Sequence, residues 1–172
     1  GPPAPAFDGD LVIVHGLTAG WGEESESRDR FLAFERRSGE HVWTSSPGLP
    51  AREASNSSPV FAWLANRRIL VAGTGCGHLA TIDSRSGQVL WVKRLSNLPL
   101  HASPLLAPPG LLVVAAYDAP SGRPTENLVA LPLSGASIPE AWLAPASKID
   151  ADAPASHGVP WHYPSASPVL SG

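Results

Sequence analysis

The stretch AFERRSGEHVW at 33–43 returns 48 residues later as TIDSRSGQVLW at 81–91. Both carry an acid (Glu35, Asp83), an Arg-Ser-Gly turn (Gly39, Gly87) and a tryptophan four residues beyond the glycine (Trp43, Trp91). Gly39, Gly87 and Gly135 stand 48 apart, twice. The third copy, LVALPLSG at 128–135, is looser: Pro132 replaces the acid, the turn is one residue shorter, and Trp142 lies seven residues past its glycine. Self-similarity at a fixed period in this range marks a repeat architecture, and it decides the fold before any segment is judged alone.

Working outward, a second landmark precedes each copy: Ser58-Pro59-Val60, Ser103-Pro104-Leu105 and Ser167-Pro168-Val169, with Ala4-Pro5-Ala6 as a degraded first instance. Each introduces a short apolar run, followed by a turn and a β-rich stretch such as Leu11–Val14 or Leu111–Val114. Four short runs per period, bounded by Gly, Pro, Asn and Asp, mean four strands. For repeat two the expected strands are about 59–64, 68–73, 78–83 and 88–93. Helices find little room among 19 prolines and 16 glycines spread over 172 residues. Four antiparallel strands recurring every 40 to 50 residues predict an all-β fold, a β-propeller of four-stranded antiparallel blades.

The expected organisation is a partial ring of about three blades plus ends. Repeat one spans about 4–46, repeat two about 57–95 and repeat three about 102–145; a long loop covers 144–166, and repeat four starts at 167–172. Rings close with about four to eight blades, so further blades of a parent chain are expected to complete this one. The absence of methionine fits the same expectation of a fragment.

The repeated residues have local physical work. Glu35 and Asp83 can accept hydrogen bonds from the amides of their own turns. Gly39 and Gly87 can supply the positive φ that closes a tight hairpin. Trp43 and Trp91 can bury a large ring between neighbouring sheets while the indole N–H finds a carbonyl. Gly135 and Trp142 are their expected counterparts in repeat three.

Composition removes several functions. A net charge of −3 with two lysines, Lys93 and Lys148, lacks the basic surplus that phosphate-backbone binding needs, so no nucleic-acid partner is expected. No apolar run approaches the ~18 residues of a membrane span. The single cysteine, Cys76, excludes an intrachain disulfide and any Cys-x-x-Cys chemistry. It lies in a Gly-rich hairpin with no activating base apparent, which suggests an inert thiol. No Ser-His-Asp, P-loop or dinucleotide-binding pattern is present.

The pattern A-x-[DE]-x-x-S-G-x-x-x-W, carried by Glu35 to Trp43 and Asp83 to Trp91, resembles the tryptophan-docking motif of the pyrroloquinoline-quinone-like (PQQ-like) β-propeller repeats. The resemblance covers about 4–142, with a new repeat from Ser167, and weakens at Pro132. It implies one of two functional types. One is the quinoprotein oxidoreductase, which holds PQQ and calcium on the propeller axis and sets a vicinal cysteine disulfide against the quinone. The other is the cofactor-free propeller, similar to the scaffold lipoprotein of outer-membrane β-barrel assembly. A chain whose only cysteine is Cys76 looks more like the second, and no cofactor is expected outside the first. The resemblance further implies a periplasmic or secreted bacterial protein, with a sensor propeller attached to another catalytic domain as a third possibility.

Alternating strands put the B–C and D–A connections on one face of the ring and the A–B and C–D turns on the other. The second set is short, whereas the first grows to about 15–30 and 115–126 between strands B and C, and to 46–57, 94–102 and 144–166 between blades. Insertions gathered on one face of a repeat array usually mark its binding face, so a protein or peptide partner is expected there. Polar and aromatic candidates on that face are His15, Trp21, Glu23, Glu24, Asn56, His101, Asp118, His157, Trp161, His162 and Tyr163. Asn56 and His101 each precede a repeat's proline by three residues and are expected at the mouth of the innermost strand. Either could touch a ligand or simply bond to neighbouring loops. Trp161-His162-Tyr163 could grip a partner by stacking or anchor its own loop. His157 and His162 with Asp150 and Asp152 match no metal-ligand spacing, and Glu23-Glu24-Ser25-Glu26 lacks a calcium-loop pattern; no metal is expected at either.

Overall fold

The computed structural model describes residues 2–18, 28–47, 50–51, 53–64, 66–108, 110–118, 125–133 and 142–145. They form three four-stranded antiparallel sheets in chain order. Blade one comprises β1 (Ala6–Asp8), β2 (Leu11–Thr18), β3 (Arg28–Glu35) and β4 (His41–Ser45). Blade two comprises β5 (Val60–Leu64), β6 (Arg67–Gly73), β7 (His78–Asp83) and β8 (Val89–Arg94). Blade three comprises β9 (Leu105–Ala107), β10 (Leu111–Asp118), β11 (Thr125–Pro132) and β12 (Trp142–Pro145). Each sheet is a meander, every strand pairing with its sequence neighbour, as expected of a propeller blade. Among the described residues no helix is long and apolar enough to cross a membrane.

The repeat holds at the level of register. Ile13 faces Ala33, Val71 faces Thr81 and Val113 faces Ala130; each of these third-strand residues then faces a tryptophan, Trp43, Trp91 and Trp142. Trp142 is therefore the backbone equivalent of the other two despite its longer approach. One amide past the third strand donates to a carbonyl at the start of the second strand in all three copies: Arg36 to Asp10 O (2.7 Å), Ser84 to Arg68 O (3.1 Å) and Leu133 to Gly110 O (2.7 Å). Blades one and two even share a register shift just after the residue facing the tryptophan.

Strand alternation sends successive side chains to opposite sheet faces, and each face meets a different neighbour. Leu11, Ile13, Phe31, Ala33 and Trp43 of blade one close on Leu70, Ala72 and Ile82 of blade two. The other face of blade two supplies Ala62, Leu64, Ile69, Val71 and Leu79, which close on Leu112, Val114, Ala116, Val129 and Leu131 of blade three. The core is thus a pair of seams between blades, with blade two sandwiched in the middle.

Two expected loops are shorter than their composition suggested. Residues 15–18 and 28–30 belong to β2 and β3, and 115–118 and 125–126 to β10 and β11. Strand pairing continues outward through His15↔Phe31 to Thr18↔Arg28, and through Ala116↔Asn127 to Asp118↔Thr125. The polar residues there are members of the strand ladder, because continued pairing keeps their backbone bonds made.

Candidate functional site

The long-loop face is built where the first seam reaches that end of the blades. His15 on β2 stacks on Phe31, with ring centroids 4.1 Å apart and planes 12° from parallel. Its Nδ1 lies 3.1 Å from Ser57 O; a carbonyl only accepts, so Nδ1 donates. Its Nε2 lies 3.0 Å from Asp29 Oδ1, and both side chains are fully buried. Asp29 Oδ2 accepts the Gly75 amide at 2.7 Å. One His–Asp pair from blade one therefore grips two loops of blade two, the segment before β5 and the β6–β7 hairpin.

The loops interlock further. Ser57 Oγ accepts the Gly73 amide (3.0 Å), Ser55 Oγ accepts the Ser57 amide (3.0 Å), and Ser55 Oγ–H donates to Leu100 O. A side chain on Gly75 would lie 1.8 Å from Glu53 O, and one on Gly77, at φ +80°, 2.1 Å from Ser96 O. These glycines let two inter-blade segments pass directly over the hairpin. Serine before the repeated proline stitches the blades: Ala4 N donates to Ser58 Oγ, and Ser58 N to Ser103 Oγ, each at 2.9 Å.

The hairpin also sets an imidazole beside the thiol, with its Nδ1 3.2 Å from Cys76 O as well; a carbonyl only accepts, so Nδ1 donates there and does not serve the thiol as a base. Cys76 Sγ sits 3.1 Å from His78 Nδ1 and 3.1 Å from Thr74 Oγ1. Burial pushes the His78 imidazole below its ordinary value, with the Cys76 carbonyl opposing and Arg94 adding to the effect, which favours the neutral ring beside the thiol. Two residues of spacing on a turn bring the pair together, a local signal that was available in Cys76-Gly77-His78. The group is half-buried and has no third ligating side chain: among the described residues no cluster of three or more His, Cys, Asp or Glu could hold a metal.

Of the expected site residues, Asn56 is exposed between the buried Ser55 and Ser57, and His101 is half-buried between Leu100 and Ala102. Trp21, Gly135, Trp161, His162 and Tyr163 lie outside the described residues, as do Glu23, Glu24, Asp150, Asp152 and His157. The carboxylate that organises the face, Asp29, was not singled out from the sequence. Arg28-Asp29-Arg30 reads as a charged loop until the strand register sets it beside the residue facing His15.

The opposite face carries the repeated turns. Glu35 accepts the amides of Arg37 (2.9 Å) and Ser38 (2.5 Å), and Asp83 those of Arg85 and Ser86 (both 3.0 Å). Those bonds, the Ser38 amide first, hold the Glu35 carboxyl below its usual range. Gly39 and Gly87 both take φ +74°. The Trp43 indole lies over Gly87 and donates from Nε1 to Ser84 O at 3.2 Å, crossing from blade one to blade two. Ser84 Oγ–H donates to Asp8, and Arg85 Nη1 to Asp10 Oδ1 at 2.7 Å.

Three sheets of this kind, with apolar seams between successive ones, define a β-propeller of four-stranded antiparallel blades. The chain belongs to the family described as outer membrane protein assembly factor BamB, whose model matches residues 2–105. No curated protein matches it. Among solved structures it is similar to the quinohemoprotein alcohol dehydrogenase ADHIIG from Pseudomonas putida HK5 (16% identity, TM-score 0.58, 84% of this chain and 20% of that one). It is similar too to the quinohemoprotein alcohol dehydrogenase from Comamonas testosteroni (15%, 0.57, 84% and 21%) and to a europium-containing methanol dehydrogenase (15%, 0.55, 82% and 24%). The chain spans a quarter or less of the length of these enzymes. At such identities the likeness shows the fold alone.

Among the described residues no cluster of His, Cys, Asp or Glu is placed to hold the calcium of a quinone centre. Cys76 has no second cysteine to pair with anywhere in the chain. Asp29, the buried carboxylate of the long-loop face, has both oxygens committed to His15 and Gly75.

Proposed function

We propose that this chain is part of a cofactor-free scaffold propeller of an exported bacterial protein, and that it holds a protein partner on its long-loop face. The observation that supports this most directly is how that face uses its polar groups. His15, Asp29, Ser55 and Ser57 are spent on fixing loops to blades, while Asn56 is left exposed among them. Rigid loops that present a few exposed groups suit recognition by a preorganised surface. Membership of a family described by outer-membrane protein assembly makes a component of that assembly the partner of choice.

A photo-reactive side chain at Asn56 or His101 should cross-link a discrete partner in an envelope extract, and one at the exposed outer-strand Val42 should not. Alanine at His101 or through Trp161-His162-Tyr163 should weaken that capture while leaving the thermal midpoint unchanged. Equal cross-linking from Val42 would overturn the placement. Added PQQ with calcium should leave the midpoint where it was, since a ligand at about 100 times its Kd would stabilise by ~2.7 kcal/mol; a rise would overturn the cofactor-free reading.

A further inference from the structure

The two outermost sheet faces differ from the faces between the blades, and the shared register lets them be compared position by position. On the side of blade two that meets blade one, Leu70, Ala72, Ala80 and Ile82 are fully buried. Their equivalents in blade three, Leu112, Val114, Val129 and Leu131, are at most 2% exposed where they meet blade two. In blade one the same four positions are Val12, Val14, Leu32 and Phe34, and all four are partly exposed. Phe7 matches Phe61, which packs against the first seam, yet Phe7 is 60% exposed.

Blade three shows the converse. Leu11, Ile13 and Phe31 of blade one are buried in the first seam, and Ile69, Val71 and Leu79 of blade two in the second. Their equivalents in blade three, Leu111, Val113 and Leu128, are partly exposed. Blade one thus has an open face of the kind that receives a preceding blade, and blade three an open face of the kind that covers a following one. Both are apolar, and apolar faces left in water mark interaction surfaces.

The chain therefore carries both halves of one joint, on opposite sides of the same molecule. Blade three of one copy laid on blade one of another continues the seams already present, with Leu, Val and Phe side chains meeting as they do within the chain. A head-to-tail contact of this kind either closes into a ring or runs on as a filament. Propellers close with about four to eight blades, and with three blades per copy only two copies fall in that range. We infer that a second copy of this chain covers both open faces, the pair closing a ring of twice three blades through two identical joints. Each ring then presents the long-loop face twice on one side, and the joint forms whatever that face holds.

The test begins with sedimentation of the full chain, which should give a species of twice 17.9 kDa with Kd below about 10 µM. Phe7→Asp puts a carboxylate into the joint and should raise that Kd at least about tenfold. The Phe7 ring is exposed in the single copy, so the far-UV circular dichroism should match that of the parent protein. Cysteines then locate the joint. In a Cys76→Ser background, Val12→Cys together with Val113→Cys should be linked into dimers by a short bismaleimide, because their seam equivalents, Leu70 with Ile13 and Leu112 with Val71, share a cluster. Either cysteine alone should leave monomers on a denaturing gel, since a head-to-tail joint does not bring like positions together. A monomer in sedimentation, an open series of larger species, or a dimer undiminished by Phe7→Asp would overturn the inference. So would dimers linked through either single cysteine, or none linked through the pair.

Discussion

The seam between blades one and two is fastened at both ends, by different physics. At the long-loop end His15 and Asp29 are dry, and every hydrogen-bonding atom of the pair meets a fixed partner. At the short-turn end Arg85 and Asp10 pair in the open, at 54% and 60% exposure, while the holding is done by the Trp43 ring lying on Gly87. Burial, not the number of charges, sets what each fastening is worth. An exposed ion pair contributes about 0–1 kcal/mol, whereas stranding one member of a buried pair costs about 3–5 kcal/mol.

The sharpest break in that comparison is Asp29→Ala, which leaves His15 and the Gly75 amide without their acceptor. A loss of about 3–5 kcal/mol is expected in denaturant unfolding. A loss below 1 kcal/mol would mean that water replaces the carboxylate and that the end is not dry. Next comes a pair of identical substitutions at equivalent turns. Gly39→Ala meets only the cost of φ +74°, about 1–2 kcal/mol, since no atom lies within 4 Å of the new Cβ. Gly87→Ala bears the same cost and also drives its Cβ to 2.7 Å from the Trp43 ring, where overpacking adds about 1–3 kcal/mol. Equal losses would show that the indole does not depend on the bare turn.

The smallest effect belongs to the exposed pair. The Arg85 hydrogen bond first, then the backbone amide of Asp10 and, more weakly, the Arg85 charge hold the Asp10 carboxyl below its ordinary value. A lowered folded value means stability that is present above the ordinary pKa, near 3.8, and is lost as pH falls through the folded one. Arg85→Gln should therefore shift the thermal midpoint slightly at neutral pH and not at all in strong acid, and about 1 M salt should erase the difference. An undiminished difference in salt would place the pair in a drier setting than its exposure indicates.

The fold was legible because its signal is repetitive and local. A 48-residue period with Ser-Pro, turn glycine and tryptophan at fixed places yields strands within one residue of those observed in blade two. The seams were less so: which of Leu70 and Val71 meets blade one and which meets blade three depends on register, and a single residue of slip would exchange them. At the site, the proline spacing singles out Asn56 and His101, while the role of His15 is not readable from the sequence. Its partners, Ser57 and Asp29, are 42 and 14 residues away, and only folding brings them together.

The serine stitches point one way along the chain. Ala4 donates to Ser58 and Ser58 to Ser103, and Trp43 reaches forward to Ser84, so a blade finds these acceptors only in its successor. During synthesis each newly emerged blade must then wait for roughly one more repeat, on the order of 5 s at ~10 residues per second, with an apolar face open. That interval, renewed at every repeat, is when a chaperone would have most to shield.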